Sequence, residues 1–362
     1  MQNRVFNFNP GPSTLPLEVL KTVQEELLDY QGTGMSVLEI SHRSSQFEEI
    51  NHSANSLIKE LLGLGDDYHL LFVGGGASTQ FANIPLNFLR DWMTANYVDT
   101  GTWASKAIKE AEKIGKVEVI ASSKDKNYTY IPEFAPQEIT DNAAYVHITS
   151  NNTIKGTQYQ TIPDTRSIPI FADLSSDICS RNIDYSRFSL FYAGAQKNLG
   201  PSGVTIVGIS KDMLEKCNEN LPTMVDYKTH AAKNSLFNTP PVFAIYILKL
   251  VLEWVKNNGG LSGIEVTNQK KKDLIYNLLD SHSDFYKPTA EKNSRSWMNI
   301  TFRLPTEGLE KQFLEESVAN RLIGLKGHRS VGGIRVSLYN AMTLEGTEAV
   351  AELMRSFINK HG

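Results

Sequence analysis

Cysteine is scarce in this 362-residue chain: Cys179 and Cys217 are the only two, and no CxxC pair occurs. Two thiols exclude a disulfide framework and a cysteine-based zinc cluster, and they fit a reducing compartment. An excess of positive charge is also missing, because 36 Lys and Arg stand against 40 Asp and Glu, for a net charge of −4. Nucleic acid is therefore not an expected partner. Long hydrophobic runs are absent as well. The most apolar stretch, VFAIYILKLVLEWV from Val242, is interrupted by Lys249 and falls short of the roughly 20 residues that span a bilayer, so it reads as a buried helix and no membrane is expected. The start, MQNRVFNFNPGPSTLP, lacks the basic flank and apolar core of a secretion signal, and the chain is expected to stay in the cytoplasm. Several catalytic signatures fail too. Thr79 stands where the third glycine of GxGxxG belongs, no GK[ST] follows, and there is neither a GxSxG elbow nor an HxxxH pair, so no metal is expected.

What is present is the composition of a large globular protein, with 41% hydrophobic and 21% charged residues. Short apolar runs alternate with helical patterns over the first 260 residues or so, which predicts βα units around a mostly parallel sheet. Seven strands are expected at HLLFVGG (from His69), NYVDTG (Asn96), VEVIAS (Val117), AYVHITSN (Ala144), IPIFADLSS (Ile168), LFYAGAQKN (Leu190) and GVTIVGIS (Gly203). Ligands in such sheets bind at the C-terminal strand ends. Beyond the NGG turn at Asn258 the pattern reads as helix, the strand SWMNITFRL, helix, then GIRVSLYN, a smaller α+β lobe. The expected division is a large domain over 16–257 and a small C-terminal domain over 258–362, with the proline-rich residues 1–15 as an extended arm on the latter. Lys270, Lys271 and Lys272 are the only basic cluster and read as a solvated helix face.

Three features carry chemistry together. Gly74, Gly75 and Gly76 lie between a strand and a helical segment, where backbone N–H groups at Ala77 and Ser78 suit a phosphate, although such turns also serve tight packing. Asp173 ends the strand IPIFAD, either as a turn cap or as a carboxylate delivered to the ligand edge of the sheet. Lys197 ends the next strand-like run, before a Gly-Pro-Ser-Gly turn, where desolvation would lower its pKa and make it a carbonyl-trapping amine. Pyridoxal phosphate needs this combination: an anion cradle, a carboxylate opposite its ring nitrogen and a lysine for the Schiff base. Trp103 suits an aromatic plate over the ring or a core position, and Thr153 a donor to the ring hydroxyl or an ordinary turn. His42-Arg43, His328-Arg329 and Arg335 resemble receptors for anionic substrates, with Arg335 suited to a bidentate carboxylate clamp.

These segments resemble the phosphoserine aminotransferase family, of the class V group within fold-type I pyridoxal phosphate enzymes. The resemblance runs through FNFNPGPSTLP, SVLEISHRS, GGGAS, GTWASKA, NNTIKGTQY, ADLSSD, AGAQKNLGPSG, NTPPVFAIY and GHRSVGGIRVSLYNA. It implies an α/β fold-type I architecture with a seven-stranded, mostly parallel sheet flanked by helices. It implies Lys197 as the Schiff-base lysine, Asp173 as the partner of the ring nitrogen, Trp103 on the ring and Thr153 at its hydroxyl. Ala77, Ser78 and Gln196 would hold the phosphate, completed by Asn238 and Thr239 of a second subunit in a homodimer. Arg43 would bind glutamate, His42, His328 and Arg329 the distal anionic group, and Arg335 the α-carboxylate.

The implied reaction moves the amino group of L-glutamate to the phosphorylated 2-oxo acid 3-phosphohydroxypyruvate, giving O-phospho-L-serine and 2-oxoglutarate in serine biosynthesis. A related four-carbon reaction would yield 4-phosphohydroxy-L-threonine for pyridoxine. The rivals are an alanine-glyoxylate type transaminase, a cysteine desulfurase and a non-catalytic pyridoxal phosphate-binding protein. The chain departs from many relatives at Ser78, where they carry an arginine, so the anion pocket is expected to lack one positive charge.

Overall fold

The computed structural model describes residues 4–362. A two-residue strand β1 (Phe6–Asn7) precedes helices α1 (Leu17–Glu26) and α2 (Ser45–Leu62). Strand and helix then alternate through β2 (Tyr68–Val73), α3 (Gly76–Phe88), β3 (Thr94–Asp99), α4 (Thr102–Ala111) and β4 (Val117–Ser122). β5 (Ala143–Thr149) runs into a small hairpin, β6 (Asn151–Asn152) and β7 (Thr157–Gln158), followed by β8 (Ile170–Asp173), β9 (Phe188–Gly194) and β10 (Thr205–Ser210). Helices α5 (Lys211–Leu214), α6 (Tyr227–Ala232), α7 (Val242–Asn257) and α8 (Gly260–Ser281) come next. The chain closes with β11 (Lys287–Pro288), β12 (Asn299–Arg303), α9 (Glu307–Ala319), β13 (Leu322–Ile323), β14 (Ile334–Ser337) and α10 (Leu344–His361).

The seven expected strands form one sheet in the order β2-β10-β9-β8-β5-β3-β4. β5 shows why: all seven of its residues, AAYVHIT, are buried, as a central strand covered on both faces requires. One expectation is corrected. GVTIVGIS (β10) is antiparallel to both β9 and β2, although it reads like its parallel neighbours. Only ten residues separate Gly194 from Thr205, and a parallel neighbour needs a crossover of about a dozen or more. Lys197 consequently sits in a tight turn rather than before a crossover helix.

Helices cover both faces of the sheet. One apolar core joins it to α1, α2 and α7, and a second joins its other face to α3, α4 and α6. The stretch from Val242 is the expected buried helix, with nine buried residues along α7. A third core, from Ile275 to Phe357, lies among α8–α10 and the sheet β11-β12-β14, and Phe8 from the N-terminal segment inserts into it. The arm is thus more than an extended tail: Phe6 and Asn7 pair in parallel with Leu322 and Ile323, while residues 1–3 of the expected arm lie outside the described residues. A second correction concerns the lysine triplet. Lys271 is fully buried and Lys272 packs over the Trp297 ring at 4.3 Å, so this part of α8 is not a solvated face.

Candidate active site

Three adjacent strands end together. Thr149 on β5 pairs with Asp173 on β8, which pairs with Tyr192 on β9. The loops that follow these ends carry Thr153, inside the β6–β7 hairpin, and Lys197, past β9. Lys197 Nζ donates to Thr153 Oγ1 at 2.7 Å, joining residues 44 positions apart. The hairpin loop closes through Gly156, whose φ is 75° and whose missing Cβ would lie 2.6 Å from the carbonyl of Asn299. The strand end carrying Lys197 is held from the N-terminal side, since Ser13 N donates to Gln196 O at 2.9 Å and Ser13 Oγ to Lys197 O.

The electrostatics favour a reactive amine. Desolvation pulls the Lys197 pKa down to about 8, and Arg335 adds to that, while Asp173 and Asp177 oppose it through space. Asp173 is buried, and desolvation raises its pKa even though Oδ1 accepts from Ser175 N at 2.9 Å. Behind it stands the Tyr192 hydroxyl, which lies 3.0 Å from His147 Nε2. Burial lowers the His147 pKa to about 3, so the imidazole is neutral there.

Arg335, on β14, donates to Thr153 O at 3.3 Å, and its Nε is buried with no partner. His328 lies half-buried in the loop before β14; its Nδ1 accepts from Ser330 N at 3.2 Å, which leaves Nε2–H as the free donor. Burial lowers the His328 pKa, and the positive charges of Arg335, Arg329 and Lys106 lower it further. Trp103, in the first turn of α4, is half-buried with an unpartnered Nε1, and Lys106 one turn later lies 4.4 Å from the centre of its ring.

The glycine run does begin a helix. Gly75 is the N-cap of α3 with φ 88°, no side chain caps the helix, and a Cβ at Gly75 would strike Thr79 Oγ1. Half-buried Ala77 and exposed Ser78 follow in the first turn, where backbone N–H groups and the helix dipole attract an anion.

The structure brings Lys197, Thr153, Asp173, Gln196, Arg335 and His328 into one region with Trp103. Of the other expected residues, His42 is half-buried and Arg43, Asn238 and Thr239 are exposed, and no hydrogen bond or ion pair joins these four to Lys197 among the described residues. Reading the sequence missed His147, Tyr192 and Lys106. A lone histidine inside a β-branched strand, and a lysine three residues after Trp103 on a helix, were the only signals for two of them.

The orphaned Trp103 Nε1 and Arg335 Nε, the desolvated Asp173 and the low-pKa amine form a donor set suited to a group with an aromatic ring, a basic ring nitrogen, an aldehyde and a phosphate. Pyridoxal phosphate fits it.

Comparison with known proteins agrees with this chemistry. The family model described as Aminotransferase class-V matches residues 5–350. The phosphoserine aminotransferase of Desulfosudis oleivorans is 55% identical over 364 residues, covering 100% of both chains. The solved phosphoserine aminotransferase of Bacillus circulans subsp. alkalophilus superimposes with a TM-score of 0.96 at 51% identity, covering 99% of each chain. The pyridoxal phosphate-bound enzyme of Trichomonas vaginalis matches with a TM-score of 0.91 at 33% identity, covering 97% of this chain and 100% of its own. With full-length identity of this order and a site built for that cofactor, the chain belongs to the phosphoserine aminotransferase family of class V aminotransferases.

Proposed function

We propose that this pyridoxal phosphate-dependent enzyme transfers the amino group of L-glutamate to 3-phosphohydroxypyruvate, giving O-phospho-L-serine and 2-oxoglutarate in serine biosynthesis. The observation that carries the reading is the Lys197–Thr153 contact beside buried Asp173 and Arg335. Bound pyridoxal phosphate supplies an aldehyde for the lysine and a ring that delocalises negative charge from the substrate Cα.

The chain's own residues do the rest. Lys197 Nζ, its pKa drawn down to about 8, would be the amine that holds the cofactor's aldehyde and the base that takes the proton from the substrate Cα. Thr153 Oγ1 holds that amine in position. Asp173 keeps a proton on the ring nitrogen, and the neutral His147–Tyr192 pair orients the carboxylate without competing for its charge. Trp103 covers the ring. The N-terminus of α3 at Ala77 and Ser78, with Gln196, holds the cofactor phosphate, and Asn238 and Thr239 of a second subunit complete it, which makes the enzyme a homodimer. Their exposure in one chain supports that role.

Arg335 clamps the α-carboxylate, Arg43 binds glutamate, and His42, His328 and Arg329 receive the distal carboxylate or phosphate. Lys106, whose charge acts on His328, adds a positive charge to a chain in which Ser78 leaves out the arginine of many relatives. The same pocket aminates the four-carbon analogue on the way to 4-phosphohydroxy-L-threonine and pyridoxine. We place the enzyme in the cytoplasm. The domain division falls after residue 257, between α7 and α8, with the N-terminal arm on the small domain; the pairing of β1 with β13 supports this.

The test is an absorbance titration of the purified holoenzyme. Glutamate should bleach the visible cofactor band and 3-phosphohydroxypyruvate should restore it. Restoration by pyruvate or glyoxylate alone would replace the phosphorylated substrate with a neutral one.

A further inference from the structure

Helix α8 sends two side chains inward from one face, Asn268 and Lys271, both buried and three residues apart. They reach the same short segment, residues 338–342, that follows β14. Lys271 Nζ donates to the carbonyl oxygens of Leu338 at 3.2 Å, Tyr339 at 2.9 Å and Met342 at 3.0 Å. An ammonium group has three donors and no acceptor, so three carbonyls satisfy it completely. A neutral amine would instead turn its lone pair toward one of those oxygens. No ion pair reaches Lys271 among the described residues, which leaves its charge to the carbonyl dipoles, as for a monovalent cation whose hydration shell is replaced by backbone oxygens. Burial draws the amine down to about 7, whereas hydrogen bonds from the charged form to three carbonyls favour the protonated state.

The caged segment is tied to the active site on two sides. Asn340 N donates to Asn198 Oδ1 at 3.0 Å, and Asn198 directly follows Lys197. Asn340 Nδ2 donates to Cys179 O at 2.9 Å, and its Oδ1 accepts from Asn268 Nδ2 at 2.9 Å. The Tyr339 hydroxyl donates to Pro10 O at 2.7 Å and accepts from Asn299 Nδ2 at 3.2 Å. Three positions before Leu338, β14 carries Arg335. Without a cation, three carbonyl oxygens face one another in a dry space, and the segment relaxes together with Asn198 and Arg335.

We propose that Lys271 is a positioning residue, a tethered cation whose carbonyl cage locks segment 338–342 and thereby aligns Lys197 and Arg335 for transamination. The inference rests on the roles given above to those two residues. The test compares Lys271→Ala and Lys271→Met with the wild type in ammonium, potassium and tetramethylammonium chloride at equal ionic strength. Two readouts are needed: the glutamate half-reaction of the holoenzyme and the thermal midpoint of the cofactor-free protein.

Lys271→Ala should lower kcat about 10- to 100-fold and raise the KM for glutamate, since small misplacements at a reacting centre have effects of that size. Ammonium should recover much of the loss and raise the midpoint, potassium less, and tetramethylammonium neither. Lys271→Met fills the space with a methyl group and should not respond. A folded Lys271→Ala protein with wild-type kcat and KM would overturn the inference. So would recovery of the midpoint by ammonium with no change in kinetics, or failure of both variants to fold in every salt. A wild-type protein that does not transaminate would instead sink the reading of the reaction, and the midpoint response would still decide whether a cation cage exists.

Discussion

Two desolvated lysines behave differently in this fold, one at the strand ends of the large sheet and one inside the C-terminal lobe. Lys197 keeps a single hydrogen-bond partner, Thr153 Oγ1, and stands near a second cation, Arg335. Lys271 has three carbonyl partners, one for each of its protons. The same side chain is left under-satisfied in one place and saturated in the other. An amine with spare hydrogen-bonding capacity and a repelled charge is poised to react, whereas a saturated ammonium is poised to hold a backbone still.

The sharpest way to break this contrast is to remove each lysine in turn. Lys197→Ala should lower transamination by about 1000-fold or more, the size of a lost general acid–base group, while its thermal midpoint holds or rises. Holoenzyme kinetics and melting curves check both halves, and a strongly destabilised but active Lys197→Ala protein would reverse the assignment. pH sharpens the same point. With the pKa of Lys197 drawn from 10.5 to about 8, its neutral form grows as pH rises through about 8. The rate at which cofactor-free protein couples to pyridoxal phosphate should follow that curve, and a rise only above pH 10 would contradict it.

Next in size is Asp173→Asn, which removes the charge opposite the ring nitrogen and should lower kcat about 100-fold, in the range of other preorganised electrostatic groups. The mutant should still take up cofactor, visible as an absorbance band. Arg335→Ala should raise the KM for both amino-acid substrates by about 10- to 100-fold, the value of a charged hydrogen-bond pair. Arg43→Ala should act instead through the distal groups. An unchanged KM for every substrate in either mutant would refute that partition of the pocket. Smallest is Lys106→Met, whose exposed amine should contribute about threefold to the KM of the phosphorylated substrate, lost in high salt. An equal effect on every substrate would show that Lys106 serves only the Trp103 ring.

Much of this site was legible because its groups sit at strand ends, where the periodicity of the chain announces the strand and the chemistry follows within a few residues. Asp173 and Lys197 are of this kind, and so is the glycine turn before Ala77. His147 and Tyr192 were not legible, because a polar residue inside a buried strand carries no mark of what it faces across the sheet. Their 3.0 Å contact joins positions 45 apart. Lys106 escaped notice for the opposite reason: an exposed helical lysine is the commonest of patterns. The contact between Arg335 and Thr153 spans 182 positions, and only packing of the C-terminal lobe against the hairpin loop creates it.

The sequence alone determined the alternation of strands and helices, the glycine-led helix start and the set of groups delivered to the sheet edge. These depend on local period and backbone sterics, which neighbouring residues decide among themselves. Tertiary structure decided that β10 runs antiparallel, that Phe6 and Asn7 join the C-terminal lobe, and that Lys271 enters the core while its neighbour Lys270 remains on the surface. The reason is common to all three. A strand's direction depends on the length of its connection and the place left for it in the sheet, and the burial of a charge depends on acceptors that arrive from distant parts of the chain. Neither is written in the local pattern.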